Sequence, residues 1–388
     1  MSVWKVVFFS VFLHMAYGSM RVTVSLNALA NGFGAFQVGV LMSLLALFPT
    51  LLAMPGGRWI DRAGGRKPIV LSSALLLAAA AAGVLFPAGS FGLAPLYAVV
   101  VLDGIGFLFM QMATLEIVGK VSRPEARTGS FAMLALGFAT SGLVNPVVAG
   151  YAIDLAGFRA AYGIALLYVA LGFALFLLFR GVIPASWGTG PKKRGKKGAF
   201  DLMRLPSVRN VILVSALVSM AWELENFMFP VYGHAIGLTA TEIGWLIGTF
   251  FAATFAVRLL IPVMTRWLSE WQFLVLVLAL GGASYLVFPF FSTLPPLLAV
   301  AFVLGLGLGA SQPNVMSLLH RVTPEGRVGE ALGIRTMFRN AAHTVLPIGF
   351  GAITAAIGVF WIFMFQGGLM LGASALVHFR EAARDRGR

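Results

Sequence analysis

The chain has 388 residues, of which 59% are hydrophobic and only 11% are charged, with a mean hydropathy of +0.90. Soluble domains carry about a quarter charged residues, so this composition excludes a soluble fold and predicts a polytopic membrane protein. The net charge is +14 and there is no cysteine, which excludes disulfides and thiolate metal sites. The apolar stretch after Lys5 lacks a small-residue cleavage site, so we interpret it as a first spanning helix rather than a signal peptide.

Twelve apolar stretches are long enough for a helix of about 20 residues that crosses the bilayer. We therefore predict an all-α polytopic membrane protein whose twelve helices form two pseudo-symmetric bundles of six. The predicted spans, numbered 1 to 12 in chain order, are 4–28, 36–57, 68–88, 93–118, 128–154, 159–180, 208–232, 240–263, 271–291, 295–319, 329–354 and 358–379.

The basic residues are sorted to one side of these spans. The outer loops, which include the loop between spans 5 and 6, hold only Arg159. The remaining loops and the C-terminal end hold Arg58, Arg62, Arg66, Lys67, Lys120, Arg123, Arg127, the run Lys192–Lys197, Arg204, Arg209, Arg266, Arg321, Arg327 and the run Arg380–Arg388. Positive loops stay inside, so both termini are expected in the cytoplasm. This sorting by side also explains the net charge of +14, so nucleic-acid binding is not needed to account for it.

One long basic loop divides the chain. We predict an N-terminal six-helix bundle over 1–180, a cytoplasmic linker over 181–207, a C-terminal bundle over 208–379 and a cytoplasmic tail over 380–388. The linker carries the run Lys192–Lys197. Such a run favours a solvated segment on anionic headgroups, and the alternative is a site for a regulatory partner.

The two halves repeat short motifs. Repeated residues include Pro124–Gly129 with Pro324–Gly329, Gly104 and Gly106 with Gly305 and Gly307, Gln111 with Gln312, and Gly32 and Gly39 with Gly237 and Gly244 at a constant offset of 205. Six-helix repeats of this kind are typical of transporters whose substrate site lies between two bundles near mid-membrane.

The stretch between spans 2 and 3 carries a recognisable pattern. Its defining residues are Gly57, Asp61, Arg62, Gly64, Arg66 and Lys67. This pattern, its position and the 6+6 repeat resemble the signature loop of the major facilitator superfamily over essentially the whole chain. The resemblance implies a bacterial secondary carrier. We expect the stretch to be a tight cytoplasmic turn that acts as a gate, with Asp61 capping the start of span 11.

Three departures from the family pattern are visible. The corresponding loop between spans 8 and 9 has Arg266 and no Asp, so we predict an inner lock that depends mainly on the first copy. The family's arginine in span 4 is missing near Val100. The antiporter motif of span 5 is partial, because Asn145 stands where a glycine is usual.

Span 1 carries a polar stripe. His14, Tyr17, Arg21 and Ser25 are spaced by three or four residues and so share one helical face. With the offset of 205, Arg21 corresponds to Asn226 in span 7.

Glu223 in span 7 is the leading candidate for proton coupling or for contact with a cationic substrate, since ionisable groups inside a membrane are rare and usually functional. The alternatives are a gate-closing pair between Arg21 and Glu223 or Glu225, and a position at the outer surface. Asp103 in span 4 is either a proton site or an interfacial residue. Glu116 is expected to support the gate through a structural ion pair with Arg62 and Arg66 that locks the inner face.

Span 11 carries Arg335, Arg339, Asn340 and His343. Arg335, Arg339 and His343 follow one another at steps of four and so share one helical face. Arg339 could bind an anionic substrate group or satisfy a carbonyl or carboxylate between bundles.

Arg258 is interpreted as snorkelling to the cytoplasmic surface. Gln111, Gln312 and Asn314 could bond substrate or neighbouring helices. Arg127, Arg327 and Arg335 are predicted to support the gate.

The predicted function is secondary active transport of a small organic molecule across the inner membrane by alternating access, as proton-coupled efflux. The alternative is proton symport for uptake of an organic acid or sugar. A membrane enzyme is disfavoured because the five histidines are scattered, and no G-x4-G-K-[ST] loop supports an ATP-driven pump. The expected partners are substrate, protons and lipid. We expect a monomer without cofactor, metal or nucleic acid.

Overall fold

The computed structural model describes residues 3–86, 91–123, 126–183, 199–264, 266–324 and 327–386. Within these ranges the chain is helical and contains no strand. The helices are α1 (Val3–Ala30), α2 (Ala35–Ala63), α3 (Arg66–Leu85), α4 (Ala94–Val121), α5 (Arg127–Phe179), α6 (Pro206–Ala235), α7 (Ala240–Met264), α8 (Glu270–Val287), α9 (Leu294–Val322), α10 (Val328–Ile357) and α11 (Val359–Arg386).

All eleven of these helices are long and apolar enough to cross a membrane. Their outward faces carry large exposed apolar side chains, such as Leu155 at 83% and Leu178 at 73% exposure. Leucines exposed to this degree on a continuous apolar helix suit a lipid environment and would be unfavourable in water.

The 53-residue helix α5 contains two of the twelve predicted spans. Its helical dihedrals are broken at Gly157, where φ is 79° and ψ is 177°. Gly358, with φ 91°, separates α10 from α11 at the matching point of the second half. Each of the twelve predicted spans therefore coincides with a helix in the part of the chain that the structure describes, with spans 5 and 6 joined through Gly157.

The predicted turn Gly57–Lys67 is mostly helical, which corrects the expectation of a loop. Helix α2 continues through Asp61 to Ala63, and α3 begins at Arg66. The turn itself is Gly64 and Gly65. Gly64 has φ 78° and ψ −178°, a conformation that is accessible essentially to glycine alone, and its N–H donates to the carbonyl of Ile60. The backbone thus requires a glycine at position 64.

The sequence repeat recurs as backbone geometry. Gly32 after α1 and Gly237 after α6 both adopt positive φ, 81° and 83°. A Cβ atom on Gly104 would lie 2.1 Å from the carbonyl oxygen of Leu45, and one on Gly305 would lie 2.3 Å from that of Phe250, 205 positions after Leu45. Each half therefore brings the same two helices into backbone contact.

The described residues form two compact units. The first comprises those within 1–193 together with Pro230–Gly248, and the second comprises those within 194–229 together with Thr249–Arg388. The predicted domain boundaries remain predictions. Residues 184–198 of the predicted linker lie outside the described part, and α11 continues to Arg386, beyond the predicted end of span 12 at 379.

Inside the first unit, α5 and the start of α7 pack closely. A Cβ atom on Gly150 would lie 2.4 Å from the carbonyl oxygen of Ala240, and one on Gly244 would lie 2.4 Å from that of Pro146. The Asp154 carboxylate accepts hydrogen bonds from the backbone N–H groups of Ala240 (3.2 Å) and Thr241 (2.8 Å). Asp154 therefore caps the N-terminus of another helix, where the helix dipole favours negative charge.

Candidate functional site

Four aromatic rings from α1, α4 and α5 form an aromatic wall in the first unit, defined as His14, Tyr17, Phe107 and Phe138. His14 stacks on Phe138 with 4.4 Å between ring centroids, and Tyr17 stacks on Phe107 at 3.8 Å. His14 also meets Phe107 edge-on at 5.7 Å, and its Nδ1 lies 2.9 Å from the Ser141 hydroxyl. All four rings are half-buried, so the wall offers flat apolar surface with a polar edge.

Asp103 lies well inside the membrane-spanning part of α4. Its side chain is 1% exposed, and the charge of Arg21 on α1 acts on it. The Nε atom of Arg21 is enclosed and has no hydrogen-bond partner within the described ranges. Asp103 lies nine residues after the first residue of α4, about 14 Å along the helix, and the choice between a proton site and an interfacial residue stays a prediction. Gln111, two turns further along α4, is half-buried.

Asn145, the departure from the antiporter motif, binds the backbone of α1. With its amide oriented to satisfy both groups, it donates to the carbonyl of Met15 (3.2 Å) and accepts from the N–H of Ser19 (2.7 Å). A Cβ atom on Gly18 would lie 2.6 Å from this amide. Asn145 therefore fixes α5 against α1 next to Tyr17 of the aromatic wall. This contact gives the asparagine, at a position where glycine is usual, a structural role.

In the second unit, Glu223 on α6 pairs with His343 on α10. The distance from Glu223 Oε1 to His343 Nδ1 is 3.0 Å, and the Glu223 side chain is 4% exposed. Glu225, on the same turn, is fully buried, and Tyr285 of α8 donates to the Ala221 carbonyl at 2.5 Å close by. The structure thus joins two predicted candidates that lie 120 positions apart, a partnership that was not predicted.

The other candidates on α10 and α6 make neutral contacts. Arg335 donates from Nε to Ser215 Oγ (2.9 Å) and from Nη2 to Gln312 Oε1 (2.8 Å). Asn226 donates to the Trp222 carbonyl of its own helix at 2.7 Å. Asn340 accepts from Thr344 through its backbone carbonyl. Arg339 follows Arg335 by one turn and is half-buried.

A charged cluster marks the start of α10 outside the spanning segment. Arg327 donates from Nη1 and Nη2 to the two carboxylate oxygens of Asp201 at 3.0 and 2.5 Å, and from Nε to Glu330 at 2.8 Å. The hydrogen bonds that Arg327 donates lower the pKa of Asp201. Acceptance of these bonds, first by Asp201 and then by Glu330, raises the pKa of Arg327. The 3₁₀ helix Ala199–Arg204 is thereby tied to α10. The side chain of Arg127, the repeat partner of Arg327, lies outside the described part.

The signature residues are fixed by neighbouring elements. Arg66 donates from Nε to the Ile183 carbonyl at 2.7 Å, which ties the start of α3 to the segment after α5. Gly57 packs against Met112, since a Cβ atom there would lie 3.0 Å from its terminal carbon. Asp61 is half-buried, whereas Arg62 and Lys67 are exposed. The predicted cap by Asp61 on span 11 remains a prediction.

Glu116 forms an ion pair with Lys120 on its own helix, at 3.3 Å. In the second half, Glu270 at the start of α8 binds Arg321 (3.0 Å) and the Ser317 hydroxyl, both on α9. Asn314 of α9 donates to the Glu270 backbone carbonyl at 2.8 Å. Asn314 therefore has a helix–helix role.

The comparisons with known proteins agree with this architecture. The family model described as Major Facilitator Superfamily matches residues 6–236 and 211–388. The chain belongs to the major facilitator superfamily. Its family and its fold are those of transporters, and it is a multi-pass membrane protein.

Two curated relatives are distant and similar over most of their length. The "Multi-drug resistance efflux pump PmrA" of Streptococcus pneumoniae is 22% identical over 336 residues, which cover 85% of this chain and 82% of the relative. "Multidrug resistance protein 1" of Bacillus subtilis is 21% identical over 342 residues, with 83% and 85% covered.

Solved structures show the same fold. A POT family transporter in complex with 5-aminolevulinic acid superposes with a TM-score of 0.76 at 14% identity, over 97% of this chain and 95% of that one. The peptide transporter POT in complex with sulfate gives 0.75 at 15% identity, over 98% and 94%. At this identity the likeness concerns the fold alone.

Proposed function

We propose that this protein is a proton-coupled exporter of small amphipathic molecules in the inner membrane, with both termini in the cytoplasm. Residues 1–180 and 208–379 would rock against each other and expose one site to each side in turn. The direction is supported by two distant relatives named as multidrug efflux proteins that match over more than four fifths of their length. The aromatic wall suits planar apolar substrates of varied structure, because stacking on a ring face makes few geometric demands.

The observation that carries the coupling is the Glu223–His343 pair. A carboxylate and an imidazole 3.0 Å apart can share or exchange a proton, and the carboxylate is almost completely removed from solvent. Both residues lie near the middle of their helices, about 26 Å from the start of α6 and about 23 Å from the start of α10. Ionisable groups at such depth commonly mark proton relays in transporters.

Asp103 is proposed as a second acid in the first unit. Its burial next to the charge of Arg21 resembles the situation of Glu223 next to His343, on a different helix pair. Such an acid releases its proton when its basic neighbour is free to pair with it, and it takes up a proton when substrate occupies that neighbour. Substrate binding is then linked to protonation. The Arg21–Glu223 gate pair stays an alternative role for Arg21.

The experiment is dye flux in proteoliposomes that contain the purified protein. The two probes are rhodamine 6G and fluorescein, which share a xanthene skeleton and differ in charge. We expect at least one dye to move against its gradient when a pH gradient is imposed, and to stop when the gradient is collapsed with an ionophore. Dye movement that ignores the pH gradient would overturn proton coupling and leave facilitated diffusion or sodium coupling.

A further inference from the structure

Two arginines on consecutive turns of α10 are held without a carboxylate. Arg335 is bonded to the hydroxyl of Ser215 on α6 and to the amide oxygen of Gln312 on α9, both neutral acceptors. The Nε atom of Arg339 is enclosed and lacks a hydrogen-bond partner in the part of the chain that the structure describes. Within those same residues, neither guanidinium has an acidic oxygen within 4.0 Å.

The charges of this arginine pair, Arg335 and Arg339, are therefore uncompensated. A guanidinium does not lose its proton in proteins, so neutralisation requires an anion. The charge of Arg339 acts directly on Arg335. Glu223 of α6 contacts α10 through His343, one turn beyond Arg339, and is engaged there. Two like charges in an apolar segment, with Arg335 oriented by Ser215 and Gln312, form a prepared site for a negative group.

We infer that the arginine pair binds the anionic oxygen group of the transported substrate, a carboxylate or another compact oxyanion on a small amphipathic molecule. This names the substrate class of the proposed transporter and so rests on the proposed function. Ser215 and Gln312 are positioning residues, because they fix the Arg335 fork while leaving its remaining N–H groups and those of Arg339 to bind the ligand.

A phospholipid headgroup offers the same chemistry, so the source of the anion has to be tested. Arg335 lies seven residues after Val328 and Arg339 eleven, which places them about 10 and 16 Å along α10 from its start. A lipid phosphate stays near the membrane surface, whereas a soluble carboxylate can reach either depth through a cavity. The assignment is to the soluble substrate.

The direct test measures equilibrium binding of benzoate to the purified protein in a zwitterionic detergent, with a thermal-shift assay as the readout. Benzamide serves as the neutral isostere. Benzoate is expected to stabilise the protein saturably and benzamide is not. Arg335→Gln and Arg339→Gln should each weaken benzoate binding about tenfold or more, because a charge-assisted bidentate contact is lost. The control Arg258→Gln, which removes a half-buried arginine on α7, should change it less than twofold.

Three results would overturn the inference. They are equal stabilisation by benzamide, unchanged benzoate binding in both arginine variants, and stabilisation by phosphatidylglycerol without any by benzoate. If a variant does not fold, the comparison of benzoate with benzamide on the wild type still decides the question.

Failure of the inference differs from failure of the proposed function. Gradient-driven flux of rhodamine 6G without benzoate binding would reject the anion site and keep the exporter. Saturable benzoate binding without gradient-driven flux of either dye would keep the site and reject the coupling.

Discussion

The backbone contact between α5 and α7 makes one substitution informative in detail. Gly150→Ala would place a Cβ atom 2.4 Å from the carbonyl oxygen of Ala240, about 1 Å closer than an ordinary van der Waals contact at 3.4 Å. The atom it meets is backbone, which cannot rotate away as a flexible side chain can. The two helices must therefore separate, and the hydrogen bonds that the N–H groups of Ala240 and Thr241 donate to Asp154 must lengthen with them.

The magnitude follows from packing energetics. Inserting a methylene into a close contact costs about 1–3 kcal/mol, and a shift of that size changes a two-state population by about 5- to 150-fold. The proposed alternating access predicts a conformation in which this contact is open, so Gly150→Ala should move the equilibrium toward that conformation. Gly163→Ala is a matched control on the same helix, because no atom lies within 4 Å of its Cβ position.

The absence of cysteine in the chain makes the measurement direct. Spin labels on Leu155→Cys and Ala235→Cys, both exposed, report the distance between the part of α5 next to the Gly157 break and the end of α6 in the first unit. We expect a longer distance population to grow in Gly150→Ala and the Gly163→Ala distribution to match that of the parent. An unchanged distribution and unchanged melting temperature in Gly150→Ala would refute the reasoning, since the contact would then tolerate the added carbon.

Three further predictions concern the face that is predicted to be cytoplasmic. Asp61→Asn should slow transport and leave equilibrium substrate binding intact, and a loss of binding would mean that Asp61 is no gate residue. Gly64→Ala should destabilise the protein by about 1–3 kcal/mol, because its backbone conformation is open essentially to glycine alone, and an unchanged denaturation midpoint would contradict this. Asp201→Asn should lower the melting temperature at pH 7 and low salt. Since Arg327 lowers the pKa of Asp201, this difference should be full above the ordinary value of 3.8, shrink below it and vanish as the pH falls through the lowered pKa of the folded state. A difference that is constant down to about pH 3 would exclude the ion pair as its cause.

Apolar length and glycine spacing made most of the fold predictable. Each span was visible as an apolar run, and the offset of 205 between the halves pointed to glycines that adopt the same positive φ, Gly32 and Gly237. The helical course of Gly57–Ala63 was missed because its charges and glycines were taken to exclude a helix. Helix α2 instead projects past the apolar stretch into the predicted cytoplasmic layer, where charged side chains are solvated.

Polar residues in apolar helices could be selected one by one from the sequence, and their structural partners could not; their role in a site stays a prediction. Glu223 and His343 are both unusual in apolar helices and were identified singly, but the pairing depends on how α6 and α10 pack. Phe107 and Phe138 were missed because 33 phenylalanines offer no sequence signal that separates two of them from the rest. Asp154 was missed because a cap on another helix leaves no local pattern.

The central claim is that protonation at Glu223 couples transport to the proton gradient. Its most direct test is dye flux in proteoliposomes with and without an imposed pH gradient, for the wild type, Glu223→Gln and Asp103→Asn. The account predicts that Glu223→Gln reduces flux under the gradient to its rate without one, while gradient-independent dye exchange continues. Full gradient-driven flux in both variants would contradict it.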